Sequence, residues 1–460
     1  MHETTLQMSR FVQIDRDTAY LLPPSVQDWL PEGHLARFIV DAVEQLDLSE
    51  LNRAYAGRGE AAFPPAMMLA LLFYGYATGE FSSRRIERAT YDSVAFRFIA
   101  ANTHPDHDTI AAFRKRFLPQ LKGLFVQILQ LARALKLLKV GNVSLDGTKV
   151  RANASKHRAL SYGHAKRIEV QLHAEVEQLL RMAEQADRQD RPDGMDIPAE
   201  IARREARLVA IREAKAQIEA RAQERLEVEK KVYEEKLAAR QAREKKTGKR
   251  FGGKPPKPPT GGVGEKEQVN LTDEQSRIMK AADGGFEQAY NAQALTDVES
   301  KLIVGAFVTQ QATDVRQIEP ALAELEQLPA ELGMPEHLLA DTGYQSRENV
   351  RSCERAGITP MIAMKRDVHH EPLLGRFSPG PQEPPGDDPM LRLHHRLATP
   401  QGKALYAKRK TTSEPVFGVI KHAMGLRQFL LRGLAAVSGE WQLASIAWNL
   451  RRMHAIRLAT

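Results

Sequence analysis

Three acidic residues occupy positions from which a carboxylate could bind a metal ion. Asp146 follows the β-branched run NVSL, where a strand is predicted to end, and Asp341 ends a second predicted strand in HLLAD. Glu414 lies at a predicted helix start in SEPVFG, with Pro415 at the first helical position. Carboxylate oxygens are hard ligands of the kind that Mg²⁺ prefers, and a pair of such ions supports phosphodiester cleavage.

Each acid also has a simpler interpretation. Asp146 precedes a glycine and Asp341 begins Asp-Thr-Gly, both of which are turn signals, and Ser413 or Glu414 could cap a helix. The surrounding cations favour a metal site beside a phosphate-binding surface. Lys149, Arg151 and Lys156 follow Asp146, whereas Arg409, Lys410 and Lys421 flank Glu414.

Three other acids are given structural roles. Asp314 follows a predicted strand in VTQQATDV, and we predict it as a helix N-cap, with a fourth metal-binding acid as the alternative. Asp273 and Glu274 are predicted to be exposed loop residues near a linker.

Composition sets the broad class of the protein. A chain of 460 residues corresponds to about three structural units. With 42% apolar and 27% charged residues, it has globular composition, which excludes a fibrous, wholly disordered or membrane-embedded protein. The single cysteine, Cys353, excludes a disulfide framework and a cysteine-based zinc site. Because the N-terminal sequence has no signal pattern, we expect a soluble cytoplasmic protein.

The positive charge is concentrated at the C-terminus. The whole chain carries a net charge of +8, whereas residues 396–460 alone carry 11 basic and 2 acidic side chains. The remainder of the chain is therefore close to neutral. Since this basic segment also contains Trp441 and Trp448, we expect it to be folded around Glu414 and to face a polyanion.

The first part of the chain is predicted to be helical. Apolar residues recur at helical spacing between about residues 30 and 139. One of these helices, capped by Ser82 or Ser83, carries Arg84 and Arg85. A helical DNA-binding domain and a plain helical bundle both fit this pattern.

The α/β signal is split by a charged insertion. One strand is predicted at 142–150, and several more follow residue 265. Between them, residues 163–247 predict a long charged helical hairpin, either a coiled-coil projection or a helix pair packed on its own domain. A Lys/Pro/Gly linker follows at 248–264. We therefore predict a helical domain over 1–139 and one α/β core formed by 140–162 and 265–460.

Several motifs resemble one known family. PEGHLARFIVDAV, FPPAMMLALLFYGYATGEFSSRRIE and PDHDTIAAFRKRF resemble its helical N-terminal domain. DGTKVRANASKH and ADTGYQS surround the first two acids, and YAKRKTTSEPVFGVIKHAMGLRQFLLRG followed by IAWNLRRM resembles its C-terminal signature. In this order, the motifs resemble bacterial insertion-sequence transposases of the DDE type, in the insertion-sequence-five-like group and close to its eleven-eighty-two branch.

The resemblance implies a fold, an activity and a site. It implies a ribonuclease-H-like catalytic core in which Asp146, Asp341 and Glu414 are the catalytic, metal-binding triad for two Mg²⁺ ions, with Mn²⁺ as a substitute. Tyr406, Glu414 and Lys421 correspond to the family's Tyr-Arg-Glu-Lys signature. Either Arg409 or Lys410 fills the arginine position, because the spacing after Tyr406 favours the first and the spacing before Glu414 favours the second.

The implied activity is binding of terminal inverted repeats, cleavage of DNA strands and joining of the 3′ ends to target DNA. The implied partners are double-stranded DNA and further copies of the chain on that DNA, in the bacterial cytoplasm at the nucleoid. We expect the DNA contacts to come from Lys149, Arg151, Lys156, Tyr406, Arg409, Lys410, Lys421, Arg84 and Arg85.

Two alternatives from other classes stay open at this point. The first is a domesticated or inactive DNA-binding protein derived from a transposase. The second is a coiled-coil scaffold, in which the helical arms of residues 163–247 are the functional part and the core supports them.

Overall fold

The N-terminal third of the chain is helical. The computed structural model describes residues 25–55, 62–189, 196–248, 252–281, 284–364 and 387–459. Before the first strand it contains the helices α1 Val26–Trp29, α2 Leu35–Glu44, α3 Ser49–Arg53, α4 Pro65–Thr78, α5 Ser83–Asp92, α6 Val94–Ile99, α7 His107–Phe117 and α8 Leu121–Ala134. The predicted helical N-terminal region is confirmed.

Helix α4 has apolar residues on all of its faces, and most of its residues are buried because other helices pack on more than one side of it. It packs against α2 and against a long C-terminal helix, Leu434–Ala459, which also contacts α8 and the sheet. Its left-handed C-cap, Gly79, has φ +90°, a conformation that a residue with a Cβ rarely adopts. One continuous apolar core therefore extends from the N-terminal helices to the sheet.

A six-stranded mixed sheet forms the α/β part. Its strands are β1 Asn142–Arg151, β4 Arg277–Lys280, β5 Phe286–Asp297, β6 Ile303–Thr309, β7 His337–Ala340 and β8 Thr359–Ile362. Strands β2 Ala159–Ser161 and β3 Gln268–Asn270 lie outside it. Strand β5 pairs antiparallel with β1 along one edge, and along its other edge with β4 and then β6. On the far side, β1, β7 and β8 are mutually parallel neighbours. The mixed α/β architecture is confirmed.

Strand β1 is longer than its sequence predicts. We expected it to end near Asp146, but it continues to Arg151, and residues 147–151 pair with residues 289–293 of β5. The glycine at 147 does not end the strand, because β5 supplies a hydrogen-bonding partner for every residue that follows. The parallel pairing with β7 ends at Ser144, so Asp146 lies just beyond it.

Two long helices separate β1 from the rest of the sheet. Helix α9 spans Tyr162–Gln189 and α10 spans Ile197–Thr247. They pack on each other and on a small antiparallel sheet of β2 Ala159–Ser161 and β3 Gln268–Asn270, with a separate apolar cluster of their own. The 51 residues of α10 give it a length of about 75 Å. Whether this pair acts as a coiled coil between two chains stays a prediction.

Helices cover the sheet after β6. They are α11 Ile318–Glu326, α12 Arg347–Arg355, α13 Pro389–Ala398, α14 Pro400–Ala407, α15 Ser413–Gly418 and α16 Leu434–Ala459. Helix α15 continues as a π-helical turn over Val419–Ala423. Because α15 begins at Ser413, Pro415 is its third residue and not the first, as the sequence had predicted.

No helix among the described residues is both long enough and apolar enough to cross a membrane.

Candidate active site

Asp146 and Asp341 are held side by side by two parallel strands. Ser144 of β1 is opposite Leu339 of β7, and the same register continued by two residues aligns Asp146 with Asp341. Side chains two residues apart share a face of the sheet, so both carboxylates point to the face that carries Leu339. Helix α14 covers this face, since Leu405 and Tyr406 pack against Leu339.

Arg409 lies against this pair of acids. Its Nη1 donates a hydrogen bond to Asp146 Oδ2 at 3.1 Å, and the two side chains are 13% and 16% exposed. Asp146 Oδ1 accepts from the backbone N–H of Gly147 at 2.9 Å. Lys410, the other candidate for the arginine position, is exposed. The structure thus places Arg409, and not Lys410, at Asp146.

The carboxylate of Asp146 is largely buried, and the cation beside it, Arg409, compensates its charge only in part. Burial raises its pKa to about 6, the guanidinium of Arg409 opposes that rise, and the carboxylates of Asp341 and Asp314 add to it. Burial also raises the pKa of Tyr406, which Arg409 opposes. A buried carboxylate whose negative charge is only partly compensated attracts a further cation. A divalent metal ion would supply that positive charge.

Asp341 is positioned by a tight turn that follows β7. Its Oδ1 accepts the backbone N–H of Gly343 at 2.7 Å, at the start of a 3₁₀ turn over Thr342–Tyr344. A Cβ at Gly343 would lie 2.9 Å from that oxygen and 3.9 Å from the Cβ of Asp314. Glycine at this position therefore lets the turn fold closely around the acid.

Asp314 lies near the same two acids, whereas the sequence favours a helix N-cap for it and offers a fourth acid at the site only as the alternative. Helix α11 begins at Ile318 with Gln317 before it, so the predicted N-cap role of Asp314 is wrong. Its Oδ1 accepts hydrogen bonds from Asn291 Nδ2 at 2.6 Å and Gln293 Nε2 at 2.8 Å. Asn291 and Gln293 are fully buried in β5, so the carboxylate satisfies two amides that water does not reach.

The buried network extends to a lysine and a tyrosine. Lys149 Nζ lies 3.5 Å from Asp314 Oδ1, and the Tyr344 hydroxyl donates to Gln293 Oε1 at 2.5 Å. Burial lowers the pKa of Lys149, while Asp314, Asp146 and Asp341 all oppose that shift. Lys149 is therefore a cation held among three carboxylates. A sequence signal existed: Asn291 and Gln293 are alternate polar residues set among the apolar residues of the run AYNAQAL.

Lys421 approaches the site from the C-terminal segment. Its Nζ donates to the backbone carbonyl of Lys149 at 2.8 Å. Burial lowers its pKa, and the nearby charge of Lys149 lowers it further. Lys421 thus lies beside Lys149, which is in the second half of β1.

Glu414 is not brought into contact with the other two acids. Helix α15 contacts β1, and Ser413 donates to Ser144 through its hydroxyl at 2.9 Å, but the Glu414 side chain is exposed. Across the described ranges, no three His, Cys, Asp or Glu side chains are arranged to hold a metal ion. The π-helical turn at 419–423 also means that Glu414 and Lys421 are not separated by two regular α-helical turns.

The other predicted DNA-binding residues lie elsewhere on the surface. Arg84 and Arg85 are exposed on α5, where Arg85 pairs with Glu80 at 2.6 Å. Arg151 is exposed at the end of β1, and Lys156 is exposed in a 3₁₀ turn over Lys156–Arg158. None of these four contacts the acidic pair through a hydrogen bond or ion pair among the described residues.

Asp273 is also not where the sequence predicted it. It was expected to be an exposed loop acid, but it is 3% exposed. Its Oδ1 accepts from the Tyr290 hydroxyl at 2.9 Å and from the Gly433 backbone N–H at 3.2 Å. It links β5 to the C-terminal segment and belongs to the core.

Two families of known proteins match separate parts of the chain. Residues 24–116 match a transposase domain (DUF772), and residues 239–450 match a transposase DDE domain. The second match contains Asp341 and Glu414 but begins after Asp146. Two separate stretches of the chain are therefore similar to transposase domains, and these similarities are consistent with a DNA transposase.

Neither a curated protein nor a solved structure matches the chain significantly.

Proposed function

We propose that the chain is an insertion-sequence transposase of the insertion-sequence-five-like group, close to the eleven-eighty-two branch. It binds terminal inverted repeats, cleaves DNA strands at the element ends and joins the 3′ ends to target DNA. The two transposase domains support the class of protein. The observation that carries the chemistry is the proximity of Asp146 and Asp341, which lie just beyond the end of the parallel pairing of β1 and β7 and whose carboxylates influence each other.

We also propose a ribonuclease-H-like core for residues 140–162 and 265–460. The strand order supports it: β1 is central, with antiparallel β5 on one side and parallel β7 and β8 on the other. The domain limits 1–139, 163–247 and 248–264 complete this proposed organisation.

The residues present suit a divalent cation. Asp146 and Asp341 offer hard oxygen donors, and burial leaves Asp146 with too little positive charge around it, as its pKa of about 6 indicates. When bound, Mg²⁺ or Mn²⁺ would activate the attacking hydroxyl or water and stabilise the leaving oxygen. Asp146 and Asp341 would hold these ions, and Glu414, whose side chain is exposed, would have to turn or move toward them to become a third ligand.

The cations around the acids would bind the DNA strand. Arg409 contacts Asp146, and Lys149 Nζ lies 3.5 Å from Asp314 Oδ1. Lys421 donates to the backbone carbonyl of Lys149 and adds a third positive group nearby. Such groups position a phosphate and neutralise charge that develops on it. Lys410, Arg151, Lys156, Arg84 and Arg85 are exposed and would bind phosphates farther from the cleaved bond.

The test is Mg²⁺-dependent nicking of a duplex that carries the element end, whose sequence can be taken from inverted repeats beside the gene. Asp146→Asn and Asp341→Asn should each reduce cleavage by about 10³-fold or more, while end binding in a mobility-shift assay stays intact. Glu319→Gln, at an exposed acid of α11, is the matched control and should cleave normally. Full cleavage by Asp146→Asn would contradict the assignment of Asp146 as a catalytic, metal-binding residue.

The domesticated-protein alternative gives a different result in the same assay. A DNA-binding protein without catalysis would bind the end duplex but leave it uncut with either Mg²⁺ or Mn²⁺. The undisturbed surroundings of Asp146 and Asp341 favour the active enzyme.

A further inference from the structure

An open cleft lies at the far end of β1 from the acidic pair. It is lined by Asn153, Ala154, Ser155, Arg158, Leu271, Thr272, Gln428 and Arg432. These residues come from three segments: the chain after β1, the chain after β3 and the segment before α16. None of the eight is acidic, and two are arginines.

The two arginines have unused hydrogen-bond donors. Arg432 is exposed, and its Nε donates to the backbone carbonyl of Asn153 at 3.0 Å, which orients the guanidinium. Its terminal amino groups have no partner among the described residues. Arg158 is exposed, and its guanidinium likewise makes no hydrogen bond or ion pair within the described ranges. A guanidinium fixed at one nitrogen suits two-point binding of a phosphate.

The walls of the cleft are held by side-chain to backbone hydrogen bonds. Asn153 Nδ2 donates to the Leu430 carbonyl at 2.6 Å, and Gln428 Nε2 donates to the Ala152 carbonyl at 3.1 Å. These bonds join the end of β1 to residues 428–432, next to the bridge between Arg151 and Gln428. The backbone segments that lead to Arg158 and to Arg432 are therefore hydrogen-bonded to each other.

The buried acid Glu440 holds the backbone of residues 430–431, in the segment that carries Arg432. Glu440 is fully buried and accepts the backbone N–H groups of Leu430 and Leu431 at 3.0 and 2.9 Å. It also accepts the hydroxyl of Tyr76 at 3.1 Å, which belongs to α4 in the N-terminal helical region. The segment that carries Arg432 is thus anchored to both parts of the protein before any ligand arrives.

We propose that this cleft binds phosphates of the DNA backbone, through Arg158 and Arg432, on the same duplex whose end reaches Asp146. The inference rests on the proposed function. Asn153 is seven residues along the chain from Asp146, which at the rise of a strand is at most about 23 Å, or about seven base pairs of DNA. Lys156 and His157, both exposed beside Arg158, extend the positive surface beyond a single anion.

The chemistry of the cleft favours a phosphate backbone over base edges. Guanidinium and amide donors in an open cleft bind phosphate oxygens without regard to sequence. The cleft is therefore expected to raise affinity for any duplex and to orient it, while sequence is read elsewhere.

The salt dependence of DNA binding tests this. The full chain, and a double variant Arg158→Gln with Arg432→Gln, would be titrated with a 30-base-pair duplex of arbitrary sequence at several salt concentrations. Loss of two phosphate contacts should reduce the slope of log affinity against log salt by about 1.8. A double variant of two exposed arginines on α8 and α12, Arg133→Gln with Arg351→Gln, removes the same charge and should keep the wild-type slope.

Each outcome decides a different point. An unchanged slope in the cleft variant, or an equal fall in the control variant, overturns the cleft as a DNA site. A rise in the wild-type unfolding temperature with inorganic phosphate alone, without a change of slope in the cleft variant, assigns the cleft to a small anion and also overturns it. If the wild type fails to bind any duplex, the proposed function itself fails. Far-ultraviolet circular dichroism of each variant verifies that it is folded.

Discussion

Arg409 donates a hydrogen bond to Asp146 across 263 positions of sequence, at 3.1 Å. Both side chains are less than one-fifth exposed, so water screens the pair only weakly. Burial works to lower the pKa of Arg409, but Asp146, Tyr406 and Asp341 outweigh it and the pKa is raised. The arginine therefore stays charged and partly compensates a buried carboxylate.

Substitution of Arg409 should cost more stability than substitution of its neighbour Lys410. Arg409→Gln leaves the Asp146 carboxylate without its charged partner, and we expect the free energy of unfolding to fall by about 1–3 kcal/mol. Lys410→Gln removes the same charge from an exposed position and should change it by less than about 0.5 kcal/mol. Urea denaturation of both variants measures the difference.

The same two variants separate the candidates for the signature arginine. In the end-nicking assay, Arg409→Gln should lose cleavage, and Lys410→Gln should keep it. A greater loss of cleavage with Lys410→Gln would assign the role to Lys410 and show that the contact between Arg409 and Asp146 is not used in the reaction.

The raised pKa of Asp146 should appear in the pH dependence of stability. Its ordinary pKa is 3.8, and burial raises it to about 6 in the folded chain. Between these values the unfolded chain has lost the proton and the folded chain keeps it, so the free energy of unfolding falls as pH rises. The fall should be on the order of 2–3 kcal/mol and be complete slightly above pH 6.

Asp146→Asn cannot titrate at this position and isolates the effect. With EDTA present, the free energy of unfolding of the wild type relative to this variant should decline from pH 4 to pH 6 and then level off. Glu319→Gln, which removes an exposed carboxylate, serves as the control. A wild-type minus Asp146→Asn difference that rises with pH would show that Arg409 outweighs burial.

The sequence predicts the elements better than it predicts their contacts. Helical spacing and turn signals are local properties, so the N-terminal helices and β7 lie where the sequence predicts them. Asp341 follows β7 because Asp-Thr-Gly is a turn signal that ends a strand. The end of β1 was misplaced because pairing with β5, a partner more than a hundred residues away, overrides the local glycine signal.

The candidate site was predictable only in part for the same reason. The sequence favours a helix N-cap for Asp314 over a place at the site, because its partners, Asn291 and Gln293, are brought to it only by the register of β5 on β1. Arg409 and Lys410 could not be separated by spacing, since only the tertiary structure determines which of two adjacent cations faces Asp146.

Gly147 should tolerate no side chain, because the network of Asp314 fills the space above it. A Cβ at Gly147 would meet Gln293 Nε2, and would lie 2.9 Å from Asn291 Oδ1 and from Asp314 Oδ1. These atoms are buried and hydrogen-bonded to one another, so they cannot move apart freely. We expect Gly147→Ala to lower the free energy of unfolding by about 1–3 kcal/mol through overpacking.

A glycine with free space around it provides the control for Gly147. Nothing lies within 4 Å of a Cβ at Gly123, which is in helix α8. Gly123→Ala should raise the free energy of unfolding by about 0.4–1 kcal/mol, because alanine restricts the unfolded chain more than glycine does. Equal thermal stability of Gly147→Ala and the wild type would contradict the packing described around Asp314.

Asp314 should control the charge state of Lys149. Burial lowers the pKa of Lys149, and Asp314, at 3.5 Å, is the largest influence that opposes it. Asp314→Asn retains the size of the side chain but removes the charge, so the pKa of Lys149 should fall further and its amine should react faster with acetic anhydride near neutral pH. Peptide mass spectrometry after brief acetylation measures this, with the exposed Lys156 as an internal reference. Unchanged relative acetylation of Lys149 would mean that Asp146 and Asp341, and not Asp314, hold its charge.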